Sequence, residues 1–169
     1  RRSGDDYKMK KIAVLGAAGK VGRLMLKELA RMKAKAEIEA YGRDEKPLSC
    51  DIAILCTDDP VSAVLAEELK DKAGFIIDMS AKFRNNPAVP LVIPEINADT
   101  ITKETRLIAS PNCTTTGRVM ALNPLKKKYT LEEVFFCSYQ AISGGGKKLI
   151  EDFNTEGSFY QANCVPLIG

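Results

Sequence analysis

The sequence predicts an α/β protein: a doubly wound parallel sheet covered by helices on both faces, followed by the start of an α+β domain. Three observations carry this. Short apolar runs of strand length alternate with longer segments whose apolar residues recur at helical spacing. A glycine-rich turn, Gly16-Ala17-Ala18-Gly19-Lys20-Val21-Gly22, joins the first apolar run to the first helical one. After Lys128 the texture changes to one long strand-like run and a second glycine turn.

Residues 1–9 lack the apolar core of a signal peptide and read as a disordered lead-in or cloning remnant. Residues 11–16 (KIAVLG) read as a buried strand, and residues 20–32 as a helix with Val21, Leu24, Met25, Leu29 and Met32 on its apolar face. Residues 36–41 alternate Ile38 and Ala40 with Glu37 and Glu39, a weaker strand. Residues 52–56 are another buried run, after which Pro60 opens a helix expected to bury Val61, Val64, Leu65 and Leu69. Residues 75–78, 91–93 and 106–109 give three further strands with short connections, and a helix opens at Cys113. Beyond it, residues 132–142 read as a long strand, and Gly144-Gly145-Gly146 opens a helical segment over 147–163. The boundary falls near Lys128, with a dinucleotide-binding domain over 10–128 and an incomplete second domain over 129–169. One strand and one helix bury no core of their own.

Composition narrows the function classes. Basic residues number 25 against 22 acidic, scattered along the chain, and the clusters at 8–11 and 126–128 carry no interleaved aromatics. That argues against a nucleic-acid partner. No apolar run reaches the length of a membrane span, and the whole reads as a cytoplasmic globular protein. Five cysteines, with no CxxC pair, argue against a disulfide framework or a zinc ribbon. The count of histidines is zero, which removes the commonest metal ligand and the commonest general base.

Two places carry chemistry. The glycine turn spans the exit of the first strand and the start of the first helix, where glycines let backbone N–H groups approach a pyrophosphate in a Rossmann-like fold. Its spacing, GxxGxxG, departs from the usual GxGxxG. At the end of the second strand the sequence offers Arg43, which accepts a 2′-phosphate and favours NADP over NAD. Glu39 would reverse that preference if the strand ended sooner. The second place is Ser110-Pro111-Asn112-Cys113-Thr114-Thr115-Thr116-Gly117, which sets a thiol at a helix N-terminus, where unpaired N–H groups favour the thiolate. The plainer alternative for Cys113 is a small buried hydrophobe.

In order along the chain, Gly16 to Gly22, Ile77-Asp78-Met79-Ser80-Ala81-Lys82-Phe83-Arg84, Val92-Ile93-Pro94-Glu95-Ile96-Asn97, Pro111-Asn112-Cys113-Thr114-Thr115-Thr116 and Gln140-Ala141-Ile142-Ser143-Gly144-Gly145-Gly146 resemble the motifs of aspartate-semialdehyde dehydrogenases. The closing Asn163-Cys164-Val165-Pro166-Leu167-Ile168-Gly169 resembles the same family. The wording around Cys113 and Gln140 is most similar to the archaeal and fungal branch. The resemblance covers about the N-terminal half of a typical member, so residues 129–169 would be the start of the catalytic and dimerisation domain.

The resemblance implies reductive dephosphorylation of aspartyl phosphate to aspartate semialdehyde with NADPH, on the route to lysine, methionine and threonine. Cys113 would form the acyl-enzyme thioester and Gln140 would orient thiol or carbonyl. Arg84 would bind the phosphate, Asn112 would position the substrate, and Gly144 would bring backbone donors close. Gly16, Ala18, Gly19, Lys20, Val21, Gly22, Arg43 and Ser80 would hold the cofactor, and no metal is expected. Members pair through the second domain, which implies a homo-oligomer. The family's acid/base histidine and its second, carboxylate-gripping arginine have no counterpart in this chain, which is therefore expected to show little turnover by itself. The alternatives are a stand-alone NADP-binding module and an assembly protein, both derived from that family, and a reductase for another acyl phosphate.

Overall fold

A computed structural model describes residues 9–42, 45–139 and 141–156. The chain forms two compact units, one ending at Met120 and the other beginning at Ala121.

The first unit is built on β1 (Lys10–Leu15), β2 (Ala36–Tyr41), β3 (Cys50–Leu55), β4 (Ala73–Asp78) and β5 (Leu107–Ala109). All pair in parallel, in the spatial order β2-β1-β3-β4-β5. Helix α1 (Lys20–Arg31) connects β1 to β2, and α2 (Asp59–Leu69) connects β3 to β4. The chain moves outward from β1 to β2 and then to the opposite side for β3, so the direction of winding reverses between β1 and β3. This is the doubly wound α/β sheet that alternating strand and helix patterns predict.

Strand alternation sorts the core into two layers. Ala13 and Leu15 of β1 join Ala53 and Leu55 of β3 and Leu65, Ala66 and Leu69 of α2 on one face. Ile12, Val14 and Ile54 face the other way, against Met25, Leu26 and Leu29 of α1.

Both helices bury part of the face predicted, Met25 and Leu29 in α1 and Leu65 and Leu69 in α2, and replace the rest. In α1 the sheet-facing set is Gly22, Met25, Leu26 and Leu29, whereas Val21, Leu24 and Met32 are 48%, 62% and 68% exposed. In α2 the buried set is Ser62, Leu65, Ala66 and Leu69, with Val61 and Val64 left exposed. Each docked set follows i, i+3, i+4, i+7 spacing, and each begins with a small residue. A small first residue lets the helix start close to the strand ends, and that contact fixes which side faces the sheet. Ser62 adds a 2.8 Å hydroxyl contact to Thr57 beside the exit of β3.

The strand expected at 91–93 shrinks to one bridge, Leu91 with Ala109. Pro90 and Pro94 flank it, and proline has no N–H to extend a ladder. The segment lies along β5, where Ala109 N–H donates to Pro90 O at 2.9 Å and Val92 N–H to Ala109 O at 3.0 Å. Helix α3 (Pro94–Asn97) follows. The Asn97 carboxamide accepts from Ile93 N–H and donates to Leu91 O, both at 2.8 Å, so one side chain takes the place of a neighbouring strand.

Helix α4 (Cys113–Lys128) begins in the first unit and ends in the second. The long strand expected over 132–142 does not form: residues 131–139 hold no regular structure, and Phe135 and Tyr139 are almost fully exposed. A strand is held by the hydrogen bonds of a neighbour, and among the described residues no strand runs alongside this segment. A 3-10 turn (Ile142–Gly145) then leads into α5 (Gly146–Glu156). The remainder of the helix expected to 163, and the motif at 163–169, lie outside the described residues.

Candidate functional site

The strands of the first unit run parallel, so the turns that leave β1, β3, β4 and β5 emerge at one edge of the sheet. In open α/β sheets ligands bind at this carboxyl edge, where the winding reverses. Here that point lies between β1 and β3.

Gly16 leaves β1 with φ +77°, a conformation favouring glycine, and a Cβ there would stand 2.5 Å from the Cys56 carbonyl oxygen. Ala17 N–H donates to Tyr41 O at 3.0 Å and Gly19 N–H to Gly16 O at 2.9 Å, so the turn is fixed between the exits of β2 and β3. At Gly22 a Cβ would lie 2.3 Å from the Gly16 carbonyl oxygen, so only glycine lets α1 start so close to β1. The N-cap of α1 is Gly19; no side chain caps it, and its first turn holds no acid. The first-turn N–H groups are thus open to an anion. Ala18, Gly19, Lys20 and Val21 are all exposed around that end. The glycine cradle fits a dinucleotide pyrophosphate.

At the end of β2, the Glu39 carboxylate is engaged by two neighbouring side chains. The strand runs on to Tyr41, and the Glu39 carboxylate is held by Lys11 Nζ at 2.9 Å and by the Tyr41 hydroxyl, which donates to it. The Tyr41 hydrogen bond and the Lys11 ammonium lower the Glu39 carboxyl, and the same Glu39 contact pushes the Tyr41 phenol up to about 12. Arg43 lies outside the described residues.

The exit of β4 contains a group that sequence reasoning passed over. Asp78 is fully buried, and its carboxylate accepts from Ser80 Oγ–H at 2.7 Å and Ser80 N–H at 3.2 Å. Ser80 Oγ accepts in turn from Lys82 N–H at 3.1 Å, and Asp59 at the start of α2 accepts from Ala81 N–H at 2.8 Å. Ser80, assigned above to the cofactor, is 7% exposed, with its hydroxyl committed to this turn. The signal was an apolar run closing on an acid two residues before a serine, a pattern that makes Asx turns. Nearby, burial and then the Asp78 carboxylate push the Cys56 thiol up to about 11.

At the exit of β5, Ser110 N–H donates to Asp78 O at 2.8 Å. The Arg84 guanidinium donates from Nε to Ser110 O at 2.9 Å and from Nη2 to Met79 O at 3.1 Å. Two residues on, Asn112 caps α4: its Oδ1 accepts from Thr114 N–H at 2.9 Å and Thr114 Oγ1–H at 2.6 Å, and its carbonyl accepts from Thr116 N–H at 2.8 Å. Cys113 is the first residue of α4 and exposed, its Sγ 3.9 Å from Asn112 Oδ1. The structure therefore brings Arg84, Asn112 and Cys113 together along the β4 and β5 exits. Gln140 lies outside the described residues, and Gly144 is exposed in the 3-10 turn of the second unit. Among the described residues no group of His, Cys, Asp or Glu is arranged to hold a metal, and no helix is long and apolar enough to cross a membrane.

Comparison with known proteins agrees with the fold. Residues 32–104 match the family described as semialdehyde dehydrogenase, NAD binding domain. The aspartate-semialdehyde dehydrogenase of Bacillus subtilis is 30% identical over 86% of this chain and 48% of its own length. That of Helicobacter pylori strain 26695 is 32% identical over 86% and 49%. Among solved structures, aspartate semialdehyde dehydrogenase II of Vibrio cholerae, in complex with ASA, superposes with a TM-score of 0.80 at 25% identity, covering 91% of this chain and 53% of that one. The chain spans about half the length of the relatives it matches.

Proposed function

We propose that this chain carries the dinucleotide-binding and cysteine-bearing portion of an aspartate-semialdehyde dehydrogenase, acting on L-aspartyl 4-phosphate with NADPH. The observation that carries the reading is the position of Cys113, exposed on the first residue of α4 at the same sheet edge as the glycine turn.

The thiolate is the nucleophilic form of a cysteine. The Cys113 sulfur attacks the acyl carbon of the substrate. A C–S bond forms, the C–O bond to phosphate breaks, and inorganic phosphate leaves with the electron pair of that bond. Arg84 keeps N–H donors beyond the two it gives to carbonyls, and a guanidinium fork suits the departing phosphate. Asn112 commits Oδ1 to capping and presents its Nδ2 donor to the acyl oxygen. By resemblance, Gln140 and Gly144 orient the carbonyl. When bound on the glycine cradle, the dinucleotide supplies the hydride that takes the acyl group to the aldehyde level. Arg43, with Glu39 tied to Lys11 and Tyr41, supports NADP. The product is aspartate semialdehyde, and the second unit is the surface for homo-oligomer formation.

Acid–base assistance is worth roughly two to four orders of magnitude, and no histidine is present to give it. The chain alone therefore acylates without sustained turnover. The test is intact-mass analysis after incubation with aspartyl phosphate. A hydroxylamine-sensitive adduct on Cys113, lost in Cys113→Ser, is expected. NADPH binding without any adduct would leave a dinucleotide-binding module, and rapid multiple turnover would overturn the inactivity.

A further inference from the structure

We infer that Arg84 is a positioning residue for Cys113: it ties the turn after β4 to the last carbonyl before the nucleophile's loop, independently of any contact with phosphate. The inference rests on the reading of Cys113 as the reacting group.

The two anchors are set from opposite sides. On the β4 side, the turn over 78–84 is rigid, because the buried Asp78 carboxylate holds Ser80, Asp59 holds Ala81 N–H, and Arg84 N–H donates to Ala81 O at 3.3 Å. On the β5 side, Ser110 is held through both its peptide groups. Its N–H donates to Asp78 O and its carbonyl accepts from Arg84 Nε. Pro111 follows, with its φ locked and no N–H to offer. The fixed direction at Ser110 therefore passes through Pro111 to Asn112 and to the first turn of α4, on which the thiol sits.

The geometry of the donors matters as much as the charge. One planar guanidinium reaches two carbonyls, Ser110 and Met79, from two different nitrogens. A lysine ammonium keeps the charge but is a point on a flexible stem, and does not reproduce that fork. Loss of the fork frees the Ser110 carbonyl and loosens the approach to the N-terminus of α4, on which the thiol sits.

The test uses iodoacetamide, a neutral reagent without phosphate, on the full chain, with peptide mapping of Cys113 and of the exposed Cys137 as internal reference. Arg84→Lys and Arg84→Met should both slow Cys113 alkylation at neutral pH by about fivefold, by similar factors, and raise the pH midpoint of its rate, with Cys137 unchanged. An Arg84→Lys rate equal to the parent's would assign the effect to charge alone and overturn the inference, as would parental rates in both variants. Should the variants fail to fold, the parent decides: the Arg84 Nε–H proton should exchange with water more slowly than that of the exposed Arg23, and equal exchange refutes the fork. The acyl-transfer assay fails separately. An unacylated Cys113 with a fivefold effect of Arg84→Lys removes the substrate and leaves the positioning in place.

Discussion

The carbonyl oxygen of Gly16 lies so near Gly22 that a Cβ on Gly22 would stand 2.3 Å from it. Its nearest neighbours there, Gly16 O and C and Ala17 Cα, all belong to backbone, so none can swing aside. Gly22→Ala should cost about 1–3 kcal/mol in urea denaturation. It should also weaken NADPH binding, measured by fluorescence titration, because α1 must retreat from the turn its N-terminus serves. Parental stability and affinity would show that α1 does not start where the glycines place it.

Asp78 should matter to the stability of the fold. Its carboxylate is fully buried and satisfies both polar groups of Ser80. Asp78→Ala is expected to cost about 2 kcal/mol or more, read from denaturation midpoints, with Asp78→Asn recovering part of the loss. A neutral outcome would mean that Ser80 finds other partners.

The raised thiol of Cys56 and the raised phenol of Tyr41 set an alkaline limit. The Cys56 thiol moves from an ordinary 9.0 to about 11, and Tyr41 from 10.0 to about 12. In each case the folded state holds the proton more tightly than the unfolded chain. Stability is therefore complete below the ordinary value and lost as pH rises through the folded one. The denaturation midpoint should fall from pH 9 towards 11, less steeply in Cys56→Ala. At pH 8, iodoacetamide should label Cys113 and Cys137 well before Cys56.

Nucleotide preference should follow Arg43 and ignore Glu39. Arg43→Glu should lower NADPH affinity by about tenfold or more and narrow the gap to NADH. Glu39→Gln should leave the NADPH-to-NADH ratio as it was, while bringing the Tyr41 phenol back towards its ordinary range in an ultraviolet titration. A ratio that moves with Glu39 would place the ribose against β2 itself.

The sheet was legible because its strands are short apolar runs ended by glycine or by a polar turn, and the glycine cradle because Gly16 and Gly22 flank a strand-to-helix junction. The docking faces of α1 and α2 were legible only in part by apolar count, at Met25, Leu29, Leu65 and Leu69. Gly22 and Ser62 lead the buried sets, and neither is hydrophobic enough to mark a face. The run over 132–142 misled because β-propensity reports fit to a pleated neighbour, and propensity says nothing about whether that neighbour exists. Cys113 was placed correctly at a helix N-terminus. The cap from Thr114 to Asn112 is local, whereas the contact from Arg84 to Ser110 spans loops whose meeting depends on the order of β4 and β5 in space.

An open strand edge invites other chains to pair with it and start aggregation. Beyond β5 the next backbone is the stretch around Leu91, and it has little to offer an intruder. Pro90 brings no hydrogen, and Asn97 already occupies Leu91 O and Ile93 N–H. One carboxamide thus acts as a terminator for sheet growth. Asn97→Ala should leave the fold standing and make the protein stickier, visible as light scattering on storage at concentration.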